Sequence, residues 1–142
     1  MAHKIVIHTD GGARGNPGPA ALGVVISSSK PKWEKEYGHY LGETTNNVAE
    51  YSAVVFALKK AKELLENKAS ETEVEVKVDS ELIVRQMAGI YKVKNPGLKP
   101  LFVEVQALME NFKSVKFTHV RREQNTEADA MVNQTLDALL SY

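Results

Sequence analysis

Apolar and polar residues alternate strictly through Glu73-Val74-Glu75-Val76-Lys77-Val78-Asp79, which is the pattern of a β-strand with one buried face. The stretch before it, Asn46 to Glu66, instead repeats its apolar residues at the spacing of an α-helix. Further upstream, Lys4 to Asp10 is short, rich in β-branched residues and followed by two glycines, as in a strand. Because a long helix between two strands is typical of a crossover connection, we predict that these two strands are parallel.

The rest of the chain supplies further strands and helices on both sides of this unit. Two strands are predicted at Ala20 to Ser28 and at Trp33 to Leu41, and their short links favour antiparallel pairing. The stretch from Gly11 to Pro19 is rich in Gly and Pro and is predicted to be a loop. The C-terminal half is predicted to form a short helix from Ser80 to about Ala88, a loop from Tyr91 to Pro100, a helix from Leu98 or Leu101 to Phe112, a strand from Val115 to Val120, and a helix from Thr126 to Leu140.

These elements predict an α/β fold built on a mixed five-stranded sheet. Three antiparallel strands are followed by two parallel ones, with helices flanking the sheet. The chain has 142 residues, which is near the size of one domain, and it contains no repeat or linker, so we expect a single domain over residues 1–142. Hydrophobic residues make up 43% and charged residues 25%, as in an ordinary globular protein.

Composition excludes several classes of function. Cysteine is absent, which rules out disulfide frameworks, thiol nucleophiles and thiolate metal sites. No apolar run has the length that spans a bilayer, and the first residues lack the apolar core of a secretory signal. We therefore expect a cytoplasmic protein with no membrane partner. Lysine plus arginine equals aspartate plus glutamate, at 18 each, so the net charge gives no sign of a nucleic-acid partner.

Four acidic residues lie at the ends of predicted elements. Asp10 closes the first strand, and Asp79 closes the strand that we expect beside it, at the edge where α/β sheets generally bind their ligands. Glu50 lies in the first turn of the long helix, and Asp129 lies in the first turn of the last helix. Carboxylates of this kind suit Mg²⁺ or Mn²⁺, which bind oxygen ligands together with water.

Each of these acids also has a purely structural interpretation. Glu50 fits a capping box in which Asn47 is the N-cap residue, and Asp129 fits a looser version of the same pattern. Asp79 can simply begin the helix that follows it, where the helix dipole favours an acid. Asp10, before two glycines, can be an ordinary turn residue. Spacing alone does not decide between the structural and the functional interpretation.

Four motifs surround the acids. The first reads Thr9-Asp10-Gly11-Gly12-Ala13-Arg14-Gly15-Asn16-Pro17-Gly18-Pro19-Ala20, and the second reads Thr44-Thr45-Asn46-Asn47-Val48-Ala49-Glu50. The third is Val78-Asp79-Ser80, and the fourth is His119-Val120-Arg121-Arg122-Glu123-Gln124-Asn125-Thr126-Glu127-Ala128-Asp129. In this order they resemble the motifs of the type 1 ribonuclease H family and cover almost the whole chain. The first motif is long and specific, whereas the third alone would carry no weight.

The resemblance implies a metal-dependent endonuclease that hydrolyses the RNA strand of an RNA/DNA hybrid and leaves 5′-phosphate and 3′-hydroxyl ends. It implies two Mg²⁺ ions, with Mn²⁺ as an alternative, and two-metal-ion catalysis. By motif position, the catalytic and metal-binding acids would be Asp10, Glu50, Asp79 and Asp129. The positions where the family contacts the hybrid correspond to Gly11, Gly12, Asn16, Thr45, Asn46, Asn47 and Asn95, with Thr45 and Asn95 at the family's phosphate pocket for the DNA strand.

Two features depart from many family members. The loop before the fourth acid is short and lacks the family's histidine, and Arg121 and Arg122 lie there instead, as candidates for a phosphate contact or for a role in product release. The basic, Trp-rich protrusion of some bacterial members is also absent, as in the short archaeal form. Two stretches with basic residues and no acid, at 85–99 and 113–122, are candidates for tracking phosphates. A monomeric state and weak cleavage of double-stranded RNA are further expectations.

Two other functions are compatible with the fold. One is a binding module for hybrids without catalytic activity, which would have no need to gather four acids against the phosphates of its ligand. The other is a nuclease of a related branch, such as a transposase, integrase or junction resolvase. The Gly/Asn motif and the pair Asn46-Asn47 resemble only the branch that cuts hybrids.

Overall fold

The computed structural model describes residues 3–140, so the two residues at each end of the predicted domain, 1–2 and 141–142, lie outside the described part. Its strands and helices follow one another as β1 (His3–Ala13), β2 (Gly18–Ser29), β3 (Lys32–Thr44), α1 (Asn46–Leu65), β4 (Thr72–Val78), α2 (Glu81–Met87), α3 (Lys99–Met109), β5 (Ser114–His119) and α4 (Thr126–Leu140). Two short 3₁₀ turns, Glu66–Glu71 and Arg122–Gln124, precede β4 and α4.

The five strands form one sheet in the order β3-β2-β1-β4-β5. Pairing is antiparallel between β1 and β2 and between β2 and β3, and it is parallel between β1 and β4 and between β4 and β5. The predicted fold class and the predicted parallel crossover through α1 are therefore confirmed. In the parallel register Thr9 lies opposite Val78, so the next residue of each strand, Asp10 or Asp79, reaches the same end of the sheet.

Helices cover both faces of the sheet, and two adjacent glycines of β1 show which helix covers which face. A Cβ on Gly11 would overlap the backbone of Ala49 in α1, whereas a Cβ on Gly12 would lie 3.7 Å from Val132 of α4. Because successive strand residues point to opposite faces, α1 and α4 pack on opposite sides of the sheet. The core beneath α1 includes fully buried Ile7 and Leu58.

The predicted loop from Gly11 to Pro19 is much shorter in the structure. β1 continues to Ala13 and β2 begins at Gly18, so only residues 14–17 form the turn. The two strands stay paired up to Ala13 and Ala20. Glycine is common here because α1 approaches the backbone of β1 at Gly11, where a side chain would not fit. A glycine-rich stretch therefore marks a close helix–strand contact in this chain as well as a turn.

The predicted cap of α1 at Asn47 is wrong, because the helix begins two residues earlier than that cap implies. Thr45 is the N-cap residue, and its Oγ1 accepts a hydrogen bond from the Val48 backbone N–H at 3.2 Å. Glu50 thus lies beyond the position from which a capping-box side chain reaches back to the N-cap residue. The interpretation of Glu50 as a capping-box residue is therefore wrong, and its side chain is available for another role.

Helix α4 lies unusually close to the sheet at Gly23 of β2. A Cβ on Gly23 would overlap the carbonyl oxygen of Ala128, the residue before Asp129. We expect Gly23→Ala to destabilise the protein by about 1–3 kcal/mol, the usual cost of overpacking, because backbone rather than a flexible side chain must move. Thermal unfolding of Gly23→Ala beside Gly12→Ala measures this effect, since the Gly12 variant makes the same change where the space is sufficient. Equal melting temperatures for the two variants would contradict the prediction.

Among residues 3–140, no helix combines the length and the apolar character needed to cross a membrane.

Candidate active site

The four predicted acids line one cavity of about 300 Å³. Each comes from a different element: Asp10 from β1, Glu50 from α1, Asp79 from the residue that follows β4, and Asp129 from the first turn of α4. The cavity lies at the end of the sheet where β1 and β4 carry these acids side by side. The structure therefore brings together four acids that are spread over 120 residues of sequence, as the resemblance implies, and none of the four predicted acids is left outside the group.

Burial and mutual repulsion make Asp10 reluctant to ionise. Burial raises the pKa of Asp10 from 3.8 to about 8, and the charge of Asp79, a hydrogen bond with Asp129 and the charge of Asp129 act in the same direction. The backbone N–H of Gly11 donates to Asp10 Oδ1 at 3.0 Å and opposes the rise. The repulsion from two neighbouring acids and the burial together outweigh the one backbone donor.

Glu50 behaves in the same way. Burial raises the pKa of Glu50 from 4.5 to about 7, and the charge of Asp79 adds to the rise. A hydrogen bond from the Ser80 side chain and the positive charge of Arg122 partly offset it. Asp10 and Glu50 therefore keep protons near neutral pH. The positive charges of the protein do not compensate the negative charge that these carboxyl groups would carry when ionised. A divalent cation with oxygen ligands fits this donor set and would supply the missing charge.

Two of the predicted asparagines accept hydrogen bonds from backbone donors, and of these two Asn46 lines the cavity. The backbone N–H of Ala13 donates to Asn46 Oδ1 at 2.8 Å, and the backbone N–H of Asn46 donates to Asn16 Oδ1 at 3.1 Å. With both side-chain oxygens in use, the NH₂ groups of Asn16 and Asn46 are the parts that can donate to a ligand. These bonds fasten the β1–β2 turn to the start of α1.

The other predicted substrate contacts have different surroundings. Thr45 caps α1, and Asn47 is exposed in the first turn of that helix. Asn95 is exposed, and its Oδ1 accepts the Gly97 backbone N–H at 2.7 Å, which makes it a turn residue in this structure. None of these three lies among the described residues that line the acid cavity.

The two arginines that replace the family's loop histidine also differ from each other. Arg122 lines the cavity, and its charge acts on Glu50. Arg121 is exposed just before the 3₁₀ turn, and its backbone N–H donates to the side chain of Gln124 at 3.2 Å. Of the two candidates, Arg122 is therefore the one that faces the acids.

Sequence reasoning missed Asn125, which belongs to the fourth motif but received no role. Its side chain is buried, with 1% of its surface exposed, and it hydrogen-bonds Thr9, Asp79 and His8. An asparagine directly before a helix is typical of an N-cap, and such a residue is usually exposed. No signal in the local sequence distinguishes this buried asparagine from an ordinary cap.

A second acidic group lies on the surface. Carboxylate oxygens of Glu34, Glu36 and Glu127 lie within 4.8 Å of one another, and all three residues are exposed. A hydrogen bond with Glu34 is the main cause that raises the pKa of Glu127. None of the three lines the cavity of the predicted acids.

Comparison with known proteins agrees with this geometry. A family model described as reverse transcriptase-like matches residues 8–135. LC11-RNase H1, isolated from compost and solved in complex with an RNA/DNA hybrid, is 50% identical with a TM-score of 0.89, over 96% of this chain and 99% of that one. The chain belongs to the type 1 ribonuclease H family. The resemblance read from the four motifs is thereby confirmed.

Other ribonuclease H relatives extend the comparison. RNase H1 of the halophilic archaeon Halobacterium salinarum is 35% identical with a TM-score of 0.86, over 95% of this chain and 98% of that one. The bifunctional protein Rv2228c of Mycobacterium tuberculosis is 42% identical over 136 residues, which are 95% of this chain and 36% of that protein. The chain thus spans about a third of the length of this mycobacterial relative.

Proposed function

We propose that this chain is a metal-dependent endonuclease that hydrolyses the RNA strand of RNA/DNA hybrids. The observation that carries the proposal is the convergence of four partly buried acids, each from a different element, on one cavity at the end of the sheet. A solved relative that is 50% identical was captured on an RNA/DNA hybrid, which supports the choice of substrate. We also propose that residues 1–142 act as one catalytic domain.

We assign Asp10, Glu50, Asp79 and Asp129 as the catalytic and metal-binding residues, with Mg²⁺ as the cofactor and Mn²⁺ as an alternative. Two such ions, when bound, activate the attacking water and stabilise the leaving oxygen of an in-line displacement. Asp10 would hold the metal together with Asp79 and Asp129, since the charges of both act on its carboxyl group and Asp129 also hydrogen-bonds it. These four residues fit a divalent cation because the pKa of Asp10 and that of Glu50 are both raised. The protein itself does not supply enough positive charge to keep these carboxylates ionised.

The reaction that this site supports is the hydrolysis of a phosphodiester bond in RNA. The oxygen of water bonds to phosphorus, the bond from phosphorus to the 3′ oxygen breaks, and that oxygen takes up a proton. The products carry a 5′-phosphate and a 3′-hydroxyl. The four carboxylates would hold the metal, and the guanidinium of Arg122 lies at the cavity wall, where it can bind a phosphate oxygen.

Recognition of the hybrid falls to Asn46, which lines the cavity, and to Asn16, whose side-chain oxygen accepts the backbone N–H of Asn46. The NH₂ groups of Asn16 and Asn46 can donate to base acceptors and to 2′-hydroxyls in the minor groove, since their oxygens already accept backbone N–H groups. Gly11 and Gly12, which line the cavity, let a nucleic-acid backbone approach β1. We assign Thr45, Asn47 and Asn95 as further substrate contacts on the basis of motif position.

The experiment that tests this function follows an end-labelled RNA strand in an RNA/DNA hybrid, with double-stranded RNA and single-stranded RNA in parallel. We expect cutting of the hybrid RNA strand in Mg²⁺ or Mn²⁺, none in EDTA, and weak cutting of double-stranded RNA. Product ends are identified by whether a ligase accepts the 5′ end and whether a polymerase extends the 3′ end. Tight binding of the hybrid without cleavage in either metal would contradict the enzyme and favour a binding module.

A monomeric state and a cytoplasmic location complete the proposal. The absence of cysteine is compatible with a reducing compartment. Light scattering of the protein, alone and bound to a short hybrid, measures the oligomeric state, and a stable dimer would contradict a monomer. Fractionation of cells that express the full-length protein measures its location.

A further inference from the structure

The side chain of Asn125 is buried between three elements that carry acids of the cavity. Asn125 Nδ2 donates to the backbone carbonyl of Thr9 at 2.8 Å, and it also lies 3.4 Å from Asp79 Oδ2. The backbone carbonyl of Asn125 accepts the N–H of Asp129 at 3.1 Å, within the first turn of α4. One residue thus contacts the strand that carries Asp10, the carboxylate of Asp79 and the turn that carries Asp129.

The orientation of this amide follows from its partners. The Thr9 carbonyl and the Asp79 carboxylate can only accept hydrogen bonds, so the NH₂ end must face them. The other end, Oδ1, lies 3.1 Å from His8 Nδ1, which must therefore carry the proton of that contact. Both N–H groups and the oxygen of Asn125 have partners, and with 1% of the residue exposed no water can easily replace them.

We propose that Asn125 is a positioning residue that holds the Asp79 carboxylate in place and sets the spacing of three acids for metal binding. The inference rests on the proposed function, because it concerns the same acids. Asp79 follows the end of β4 and lies close to two other acids, so repulsion favours turning its carboxylate away. A donor fixed by Thr9 and His8 opposes that movement. Groups that orient metal ligands in this way commonly change metal affinity when they are removed.

The test is a titration of Mn²⁺ followed by electron paramagnetic resonance, with wild type, Asn125→Ala and Asn125→Asp. We expect the dissociation constant for Mn²⁺ to rise by about 10–100-fold in Asn125→Ala, the usual effect of losing such an orienting group. Asn125→Asp keeps the size of the side chain and loses the donor, so we expect at least the same rise. The Mn²⁺ concentration that gives half-maximal cleavage of a hybrid should increase in parallel.

Asn111→Ala is the matched control. Asn111 Nδ2 donates to the backbone carbonyl of Leu108 at 3.0 Å, and neither residue lines the acid cavity, so we expect the Mn²⁺ affinity to stay nearly unchanged. Circular dichroism selects a temperature at which every variant is folded. If Asn125→Ala fails to fold, Asn125→Asp carries the test alone.

The outcomes separate this inference from the function on which it rests. In one outcome, wild type binds Mn²⁺ and cleaves the hybrid, and the Asn125 variants are folded and melt at a lower temperature but bind Mn²⁺ as tightly as wild type. This result would support the proposed function and overturn the positioning role. Wild type that neither binds Mn²⁺ nor cleaves would overturn both. A selective loss of Mn²⁺ affinity in the Asn125 variants supports the inference.

Discussion

Asp10→Asn is expected to reduce cleavage of the RNA strand by about 10²–10³-fold or more, which is the usual cost of losing one group that stabilises developing charge. Asp10 lines the cavity together with Asp79 and Asp129, and the charges of both act on its carboxyl group. An amide has nearly the same shape, but it carries no charge to hold a divalent cation. Single-turnover cleavage of an end-labelled hybrid in saturating Mg²⁺ measures the loss.

Glu104→Gln is the control for this substitution. Glu104 lies on α3 and forms a solvent-exposed ion pair with Lys59 of α1 at 2.8 Å, and neither residue lines the acid cavity. Its loss should change the rate little, because exposed ion pairs contribute weakly. Asp10→Asn with the cleavage rate of wild type would remove Asp10 from the catalytic group.

The second large effect is on stability in the absence of metal. Burial first, and then the charges of Asp79 and Asp129, raise the pKa of Asp10 from 3.8 to about 8. Between these two values the folded protein keeps a proton that the unfolded chain has lost. Stability therefore falls as the pH rises from about 4 to 8. Glu50 adds to this trend between 4.5 and about 7.

Thermal unfolding in EDTA at pH 5, 6, 7 and 8 measures this dependence. We expect the melting temperature of wild type to fall across the range and that of Asp10→Asn to fall less, so the variant is the more stable protein at pH 8. One pKa unit corresponds to about 1.4 kcal/mol, so a gain of more than about 1 kcal/mol is expected even after screening by solvent. A variant that is less stable than wild type at pH 8 would contradict the electrostatic argument.

Bound metal should reverse the loss of stability at higher pH, because the cation replaces the protons on the carboxyl groups of Asp10 and Glu50. Mg²⁺ or Mn²⁺ at 100 times its dissociation constant stabilises the folded state by about 2.7 kcal/mol. Since protons compete for the same carboxylates, the gain from a fixed metal concentration should be larger at pH 8 than at pH 6. The same melting experiment with added Mn²⁺ measures this difference, and an equal gain at both values would contradict it.

Much of the fold was predictable because its signals are local. Apolar and polar residues alternate through 73–79, and apolar residues recur at helical spacing through 46–66. Each pattern arises because one face of the strand or helix packs against the core. Together they predict a crossover, and the crossover places Asp10 beside Asp79 without any knowledge of side-chain contacts. Glu50 and Asp129 join these two because α1 and α4 pack on opposite faces of the sheet. Asp129 lies in the first turn of α4, as predicted, whereas Glu50 lies just beyond the first turn of α1, because that helix begins earlier than expected.

The tertiary structure decided what depends on contacts between distant residues. Gly11 resembles a turn residue in sequence, but it lies within β1 because α1 presses against it. The choice of Thr45 over Asn47 as the cap depended on where α1 could begin while packing on the sheet. Asn125 is 116 residues from Thr9 along the chain, and its burial and three partners exist only once β1, β4 and α4 meet. Periodicity along the chain determined the elements and the four motifs identified the acids, whereas the partner of each polar atom was decided by three-dimensional packing.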